Sequence, residues 1–142
     1  MITNERQYQI SKARLAKFRA ALDAPDSQTA ALHPRARKAL RDAAQSQLDE
    51  LMAEVADHEQ LRDGRLTSIT VESIAELAPA LIKARIMRNW TQKELADKLA
   101  VAEQQIQRFE ATRYKSVSVE RLQAVADALK LRVREVITFD PL

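Results

Sequence analysis

The sequence predicts an all-α protein, and three observations support this prediction. The 142 residues include one glycine and four prolines, and most of the others are strong helix formers such as Ala, Leu, Gln, Lys, Arg and Glu. Apolar residues recur at helical spacing along two separate stretches of the chain. Residue types that start or stop helices stand at the ends of these stretches. We therefore expect an N-terminal helical hairpin that contains one long helix, followed by a compact helical domain.

The hairpin begins with a short amphipathic helix. We predict it from Ser11 to about Leu22, because Leu15, Phe18 and Leu22 lie on one helical face. Residues 1–10 show no clear period. The chain from 23 to 32 contains Pro25, Asp26 and Ser27 and is predicted to be a loop.

The second helix of the hairpin is predicted to be long. Pro34 suits a first helical position, helix formers continue to about Asp63, and Gly64 provides a stop. Its apolar seam comprises Leu40, Ala44, Leu48 (or Gln47), Leu51, Val55 and His58. A seam of this length exceeds what the first helix covers, so we expect surface left for a second chain, as in a coiled coil.

The charges of the long helix are segregated. Basic residues lie at its start (Arg35, Arg37, Lys38 and Arg41), and acidic residues lie toward its end (Asp49, Glu50, Glu54, Asp57, Glu59 and Asp63). This order opposes the helix dipole, so interactions within the helix do not explain it. An antiparallel second copy would place basic ends against acidic ends, and we hypothesise such a contact. A merely solvated helix face is the alternative.

A short polar stretch, residues 64–68, is predicted to separate a hairpin unit, 1–66, from a second unit, 67–142. In the second unit we expect a turn or short helix over 70–77 and a new helix over 79–88 that Pro79 opens. Asn89 then suits a left-handed helix end. Near the C-terminus, Ser118 is expected to cap a helix over 119–129.

The stretch from Trp90 to Phe109 carries the chemistry. Thr91 and Glu94 form a T-x-x-E capping box, which predicts a helix from Gln92 to about Leu99. Ala96, Ala100 and Ile106 have the spacing of a small residue, a turn residue and a buried aliphatic residue in a helix-turn-helix.

If Ile106 points inward, Gln104 and Arg108 lie about 160° away on the second helix and point outward. Glutamine can pair with adenine and arginine with guanine, so this face is suited to reading bases. The same residue types are also common on solvated helix surfaces. The interval from Lys83 to Lys115 holds eight basic and four acidic residues, which favours an anionic partner.

Residues 78–137 resemble the XRE, or lambda and Cro-type repressor, helix-turn-helix family of five helices. TQKELADKLAVAEQQIQRFE is similar to its most diagnostic segment, and ADALKLRVREVI to its closing helices, with 132–137 as a last turn or short helix. The resemblance implies that the helix over 102–110 lies in the major groove of an operator.

The resemblance also implies roles for individual residues. Base contacts are expected from Glu103, Gln104, Gln107 and Arg108. Phosphate contacts are expected from Gln92, Lys93, Thr112, Arg113, Tyr114 and Lys115. Arg85 and Glu110 occupy the places of a structural ion pair. Three departures from the family pattern are Ala100 where glycine is usual, Ala102 where a Ser or Thr cap is common, and the carboxylate of Glu103 near phosphates.

Enzymatic activity is not expected. The chain has no Cys, its single glycine excludes a glycine-rich phosphate loop, and His33 and His58 have no nucleophile pattern nearby. Metal-ligand spacing is absent, and we expect no cofactor. There is no membrane-length apolar run or signal peptide, so a cytoplasmic protein is expected.

We thus predict a homodimeric transcription regulator, a repressor, that binds a double-stranded DNA operator. A more specific prediction is that it is the antitoxin of a toxin-antitoxin pair that represses its own operon, with the N-terminal helices holding a toxin or another protein. The alternative is a protein-protein adaptor that keeps the helix-turn-helix fold without binding an operator.

Overall fold

The computed structural model describes residues 1–24 and 29–141, and within these ranges it contains α-helices and no strand. The six helices are α1 (Glu5–Asp23), α2 (Pro34–Arg62), α3 (Ile74–Met87), α4 (Gln92–Leu99), α5 (Glu103–Ala111) and α6 (Val119–Ala128). The prediction of an all-α fold is confirmed. The chain divides into two compact units, Met1–Leu66 and Thr67–Leu142. In the described part of the chain, no helix is both long and apolar enough to cross a membrane.

The first unit is an antiparallel pair of helices. The Arg62 guanidinium lies 3.0 Å from the Glu5 carboxylate, and the Tyr8 hydroxyl donates to Glu59 at 2.6 Å, so the start of α1 lies beside the end of α2. The helix α1 begins six residues before the predicted Ser11, because the Asn4 side chain accepts a hydrogen bond from the Gln7 N–H at 2.9 Å. The loop residues predicted at 25–27 lie outside the described residues.

The predicted seam of α2 is covered along only part of its length. Its later members are buried (Leu48, Leu51, Val55 and His58), whereas Leu40 near the start is 56% exposed. Ile2 is 3% exposed, and its carbonyl oxygen lies 3.2 Å from Nδ1 of His58. The chain before α1 therefore adds to the covering of the acidic end of α2, while the basic end keeps apolar surface open.

Two boundary predictions for the second unit are wrong. The first is the break at Pro79, which instead lies inside the continuous helix α3. Pro79 is the sixth residue of α3 and removes the helix hydrogen bond to the Ala75 carbonyl, and the packing of the apolar face offsets this cost. That face includes Leu81, Ile82 and Ile86, all at most 3% exposed.

The second is the last turn or short helix predicted over 132–137, where the structure has neither. The chain after α6 has no helix in the described residues up to 141, so the unit has four helices instead of the expected five. Val136 is 88% exposed and Ile137 is 82% exposed, so this segment buries little apolar surface that would stabilise a helix. Its β-branched residues also have a lower helix propensity than straight-chain ones.

Candidate nucleic-acid interface

The start of α4 is fixed by the predicted capping box. The Thr91 hydroxyl accepts from the Glu94 N–H at 3.1 Å, and the Glu94 carboxylate accepts from the Thr91 N–H at 2.6 Å. The hydrogen bond from the Thr91 backbone lowers the pKa of the Glu94 carboxyl. This reciprocal pair satisfies two backbone donors that a helix start otherwise leaves unpaired.

The predicted turn between α4 and α5 is present and is left-handed at Ala100. Ala100 has a φ of 53°, and the next N–H, that of Val101, donates to the Ala96 carbonyl at 3.0 Å. Ala96 and Ile106 are 1% and 0% exposed, so the two helices meet through a small residue and a buried aliphatic residue. The cap position Ala102 makes no side-chain hydrogen bond, as its residue type implies. The turn is therefore set by packing more than by turn-favouring residues.

One face of α5 is polar and exposed. Glu103, Gln104, Gln107 and Arg108 are all exposed, whereas Ile106 and Glu110 of the same helix are buried. The Gln107 side-chain amide donates to the Glu103 carboxylate at 3.2 Å, one helical turn away. The helix thus presents two amides, a guanidinium and a carboxylate on one surface, a set able to donate to and accept from base edges.

A buried polar cluster lies behind this helix. The Arg85 guanidinium binds both carboxylate oxygens of Glu110, from Nε at 2.6 Å and from Nη2 at 2.8 Å. The Gln92 amide donates to the same carboxylate at 2.8 Å, and Nη1 of Arg85 donates to the Trp90 carbonyl at 2.6 Å. The side chains of the ion pair are 3% and 1% exposed. One carboxylate therefore ties α5 to α3 and to the first residue of α4.

The loop after α5 has an unusual backbone. Arg113, Tyr114 and Ser116 have φ values of 51°, 55° and 62°, in the left-handed region that non-glycine residues seldom adopt. Tyr114 is 3% exposed, and its ring centroid lies 5.9 Å from that of Phe109. Burial raises the pKa of the Tyr114 hydroxyl above its ordinary value. The buried ring offsets the backbone cost and leaves Arg113 and Lys115 exposed on either side.

This arrangement is two helices held at a tight turn, with a polar face on the second and a cationic loop after it. A helix-turn-helix family model matches residues 81–136. The matched segment is an XRE-type helix-turn-helix domain. The chain has no significant match among curated proteins or among solved structures. The helix-turn-helix domain is the DNA-binding part of transcription regulators of this type.

The predicted site residues of the helix-turn-helix domain fall into an exposed group and a buried group. The four predicted base contacts lie together on α5, and Lys93, Thr112, Arg113 and Lys115 are exposed. Gln92 and Tyr114, predicted to contact phosphate, are instead buried at 6% and 3% exposure, with the Gln92 side chain directed at Glu110.

Sequence reasoning did not find the inward direction of Gln92, although a signal for it exists. Gln92, Leu95, Ala96 and Leu99 lie at i, i+3, i+4 and i+7, the spacing of one buried helical face. This pattern was not recognised, because glutamine is polar and is usually assigned to the protein surface. The burial of Tyr114 had no comparable signal, since it depends on the left-handed loop backbone.

Proposed function

We propose that this protein is a sequence-specific transcription regulator that binds double-stranded DNA as a homodimer and acts as a repressor. The exposed polar face of α5, held rigidly from behind by the Arg85–Glu110–Gln92 cluster, carries this proposal. In this proposal α5 lies in the major groove, and Glu103, Gln104, Gln107 and Arg108 contact base edges.

Phosphate binding is assigned to the exposed members of the predicted set. Arg113 and Lys115 give the loop after α5 its positive charge, and Thr112 lies at the end of α5. Lys93 lies 2.9 Å from Asp97 in an exposed ion pair. Such pairs contribute little to stability, so the ammonium can exchange Asp97 for a phosphate at small cost.

Gln92 and Tyr114 receive positioning roles in this proposal. The Gln92 side chain orients Glu110, and its backbone N–H at the first residue of α4 is the group suited to a phosphate. The buried Tyr114 ring anchors the loop, so that Arg113 and Lys115 stay where a DNA backbone would pass.

The first test measures base discrimination. A binding site is selected from random duplex DNA with the full-length protein, and every single-base-pair variant of that site is then titrated with wild type and Arg108→Ala. We expect Arg108→Ala to lose about 1–3 kcal/mol of discrimination at one base pair, whereas Lys115→Ala weakens binding to all sequences alike. The matched control is Arg14→Ala, which removes an exposed arginine of the other unit. Unchanged discrimination in Arg108→Ala would contradict the assigned reading face.

The N-terminal hairpin supports a more specific version of the proposal. The open basic start of α2, with Leu40 56% exposed, supports the binding of a second protein chain at this surface. We therefore also propose that the protein is an antitoxin whose hairpin holds a toxin and whose other unit represses the shared operon. Co-purification of the full-length protein with the product of a neighbouring small gene tests this version, and absence of a complex in both genetic neighbours would reject it.

The alternative is an adaptor that uses the helix-turn-helix fold for protein binding alone. Salt dependence distinguishes the two functions. A regulator that neutralises phosphates loses affinity steeply as salt increases, and Lys115→Ala lowers that slope by about 1. An adaptor would show no binding to duplex DNA even at low salt.

A further inference from the structure

Two exposed carboxylates lie on the surface that carries the proposed DNA contacts. Asp97 accepts from the Lys93 ammonium, whose Nζ atom lies 2.9 Å from Oδ2 and 3.2 Å from Oδ1. Glu103 accepts from the Gln107 side-chain amide at 3.2 Å. The hydrogen bond to Asp97 and the charges of Asp97 and Glu103 raise the pKa of Lys93 above its ordinary value, so the two pairs are neighbours. A surface that is proposed to meet phosphates therefore carries two negative charges.

Helix stability does not explain the position of Asp97. It lies in the last turn of α4, where the helix dipole disfavours a negative charge, and Lys93 lies in the first turn, where the dipole disfavours a positive one. A basic residue four positions before an acidic one is also the weaker order for a helical ion pair. The two side chains are 66% and 64% exposed, so their pairing adds little to stability. The position of Asp97 therefore indicates a role in what this surface binds.

Glu103 differs from the rest of the polar face of α5 in its hydrogen bonding. An ionised carboxylate only accepts hydrogen bonds, whereas the guanidinium of Arg108 only donates them. In the major groove, adenine and cytosine present an amino group, whereas guanine and thymine present a carbonyl oxygen. Each base pair has the amino group on one strand and the carbonyl oxygen on the other, so reversing the pair exchanges them. Glu103 can therefore bind only the strand that carries the amino group.

The hydrogen bond between Gln107 and Glu103 makes the two side chains act together. One N–H of the Gln107 amide is used by Glu103, which leaves the amide oxygen as an acceptor and the second N–H as a donor. A glutamine held in this way can pair with adenine through these two groups. Both side chains of this pair are thus suited to bases that carry an amino group.

We propose that Asp97 and Glu103 make this surface selective by repulsion. Both carboxylates weaken the binding of duplex DNA in general, Asp97 by holding Lys93 away from phosphates and Glu103 by its own charge. Glu103 recovers this loss only against adenine or cytosine, because guanine or thymine would place two acceptors against each other. The inference rests on the proposed function, since it assumes that α5 meets base edges. It goes further by naming the class of base and by giving Asp97 a role.

Carboxylate-to-amide variants of the full-length protein test the repulsion. Affinities for random duplex DNA and for the selected site are measured with wild type, Asp97→Asn and Glu103→Gln. The control is Glu50→Gln, which makes the same charge change at an exposed position of the hairpin. We expect Asp97→Asn and Glu103→Gln to bind random DNA about 2- to 10-fold more tightly, and Glu50→Gln to bind as wild type does. Unchanged affinity in either test variant would overturn the role of that carboxylate.

The base preference is measured on every single-base-pair variant of the selected site, which includes each reversed base pair. With wild type, one position should favour adenine or cytosine over guanine or thymine on one strand by at least about fivefold. Glu103→Gln adds an N–H donor that guanine and thymine can accept, so the preference should fall toward equality at that position alone. Asp97→Asn should strengthen binding to all variants alike. A change in urea stability with an intact base preference in Glu103→Gln would overturn the selection and leave Glu103 a structural role.

The outcomes separate this inference from the proposed function. If Arg108→Ala loses base discrimination while Asp97→Asn and Glu103→Gln bind as wild type does, the repulsion is rejected and the regulator remains. If wild type binds all sequences alike while both carboxylate variants bind more tightly, the sequence-specific regulator and the base selection are rejected and the repulsion remains. If wild type and both variants bind no duplex DNA at low salt, the function and the inference are rejected together.

Discussion

At the scale of single residues, Glu110 determines how α5 is held. It accepts two hydrogen bonds from Arg85 and one from Gln92, so three helices depend on one carboxylate. A buried ion pair costs desolvation energy, and its contribution depends on all partners being present. The pair positions α5 more than it adds net stability.

Arg85→Met should therefore be strongly destabilising, because it leaves the Glu110 carboxylate buried without its cation. We expect the free energy of unfolding in urea to fall by about 3–5 kcal/mol. The double variant Arg85→Met, Glu110→Leu removes both charges and should lose less than Arg85→Met alone. If the two single losses simply add in the double variant, the two side chains are not coupled and the positioning role is rejected.

A pH-dependent prediction concerns Glu94. Its pKa in the folded protein lies below the ordinary 4.5, because the Thr91 backbone N–H donates to the ionised carboxylate. A lowered folded pKa gives stability that is present above about pH 4.5 and is lost as the pH falls through the folded value. Glu94→Gln should thus have a lower urea midpoint than wild type at pH 7, and the difference should close near pH 3. A difference that is the same at both pH values would contradict this assignment.

At the scale of helices and turns, Ala100 has a backbone conformation that its residue type disfavours. Its φ of 53° is costly for a residue with a Cβ atom, by about 1–2 kcal/mol. Ala100→Gly removes this cost but gives the unfolded chain more freedom, so we expect a net gain of about 0.5–1 kcal/mol in unfolding free energy. The control Ala111→Gly, at a helical position in α5, should lower it instead. A loss of stability in Ala100→Gly would show that this turn is not strained.

The predictable elements are those that local chemistry determines. The capping box at Thr91 and the Ser118 cap followed from residue types at short spacing, and both are present. The prediction that a new helix begins at Pro79 was wrong, because a helix tolerates proline when its apolar face packs well. The inward direction of Gln92 is contained in the local spacing of α4, but its partner Glu110 is 18 residues away, and local patterns do not identify such a partner.

At the scale of the whole molecule, the first unit has an uneven charge distribution. Because α1 runs antiparallel to α2, Glu5 lies at the acidic end of α2, and Arg19 lies against Met52 near the middle of α2. The segregated charges of α2 itself, from Arg35 to Asp63, make the hairpin basic at one end and acidic at the other. The basic end also holds a surface cavity of about 520 Å³, lined by Leu22 and Leu40 together with basic side chains of α2.

This distribution favours a second hairpin packed in the opposite direction, with each basic end against an acidic end. Residues 1–66 form a compact unit, so the contact can be tested apart from the C-terminal segment. We expect residues 1–66 to sediment as a dimer at micromolar concentration and to dissociate as salt increases, because the attraction between exposed charges is screened. Arg37→Glu with Arg41→Glu should shift the fragment toward monomer, whereas Arg6→Glu at the acidic end should not. If the fragment sediments only as a monomer, the contact between two hairpins is rejected. The open end of α2 is then a surface for a different protein partner.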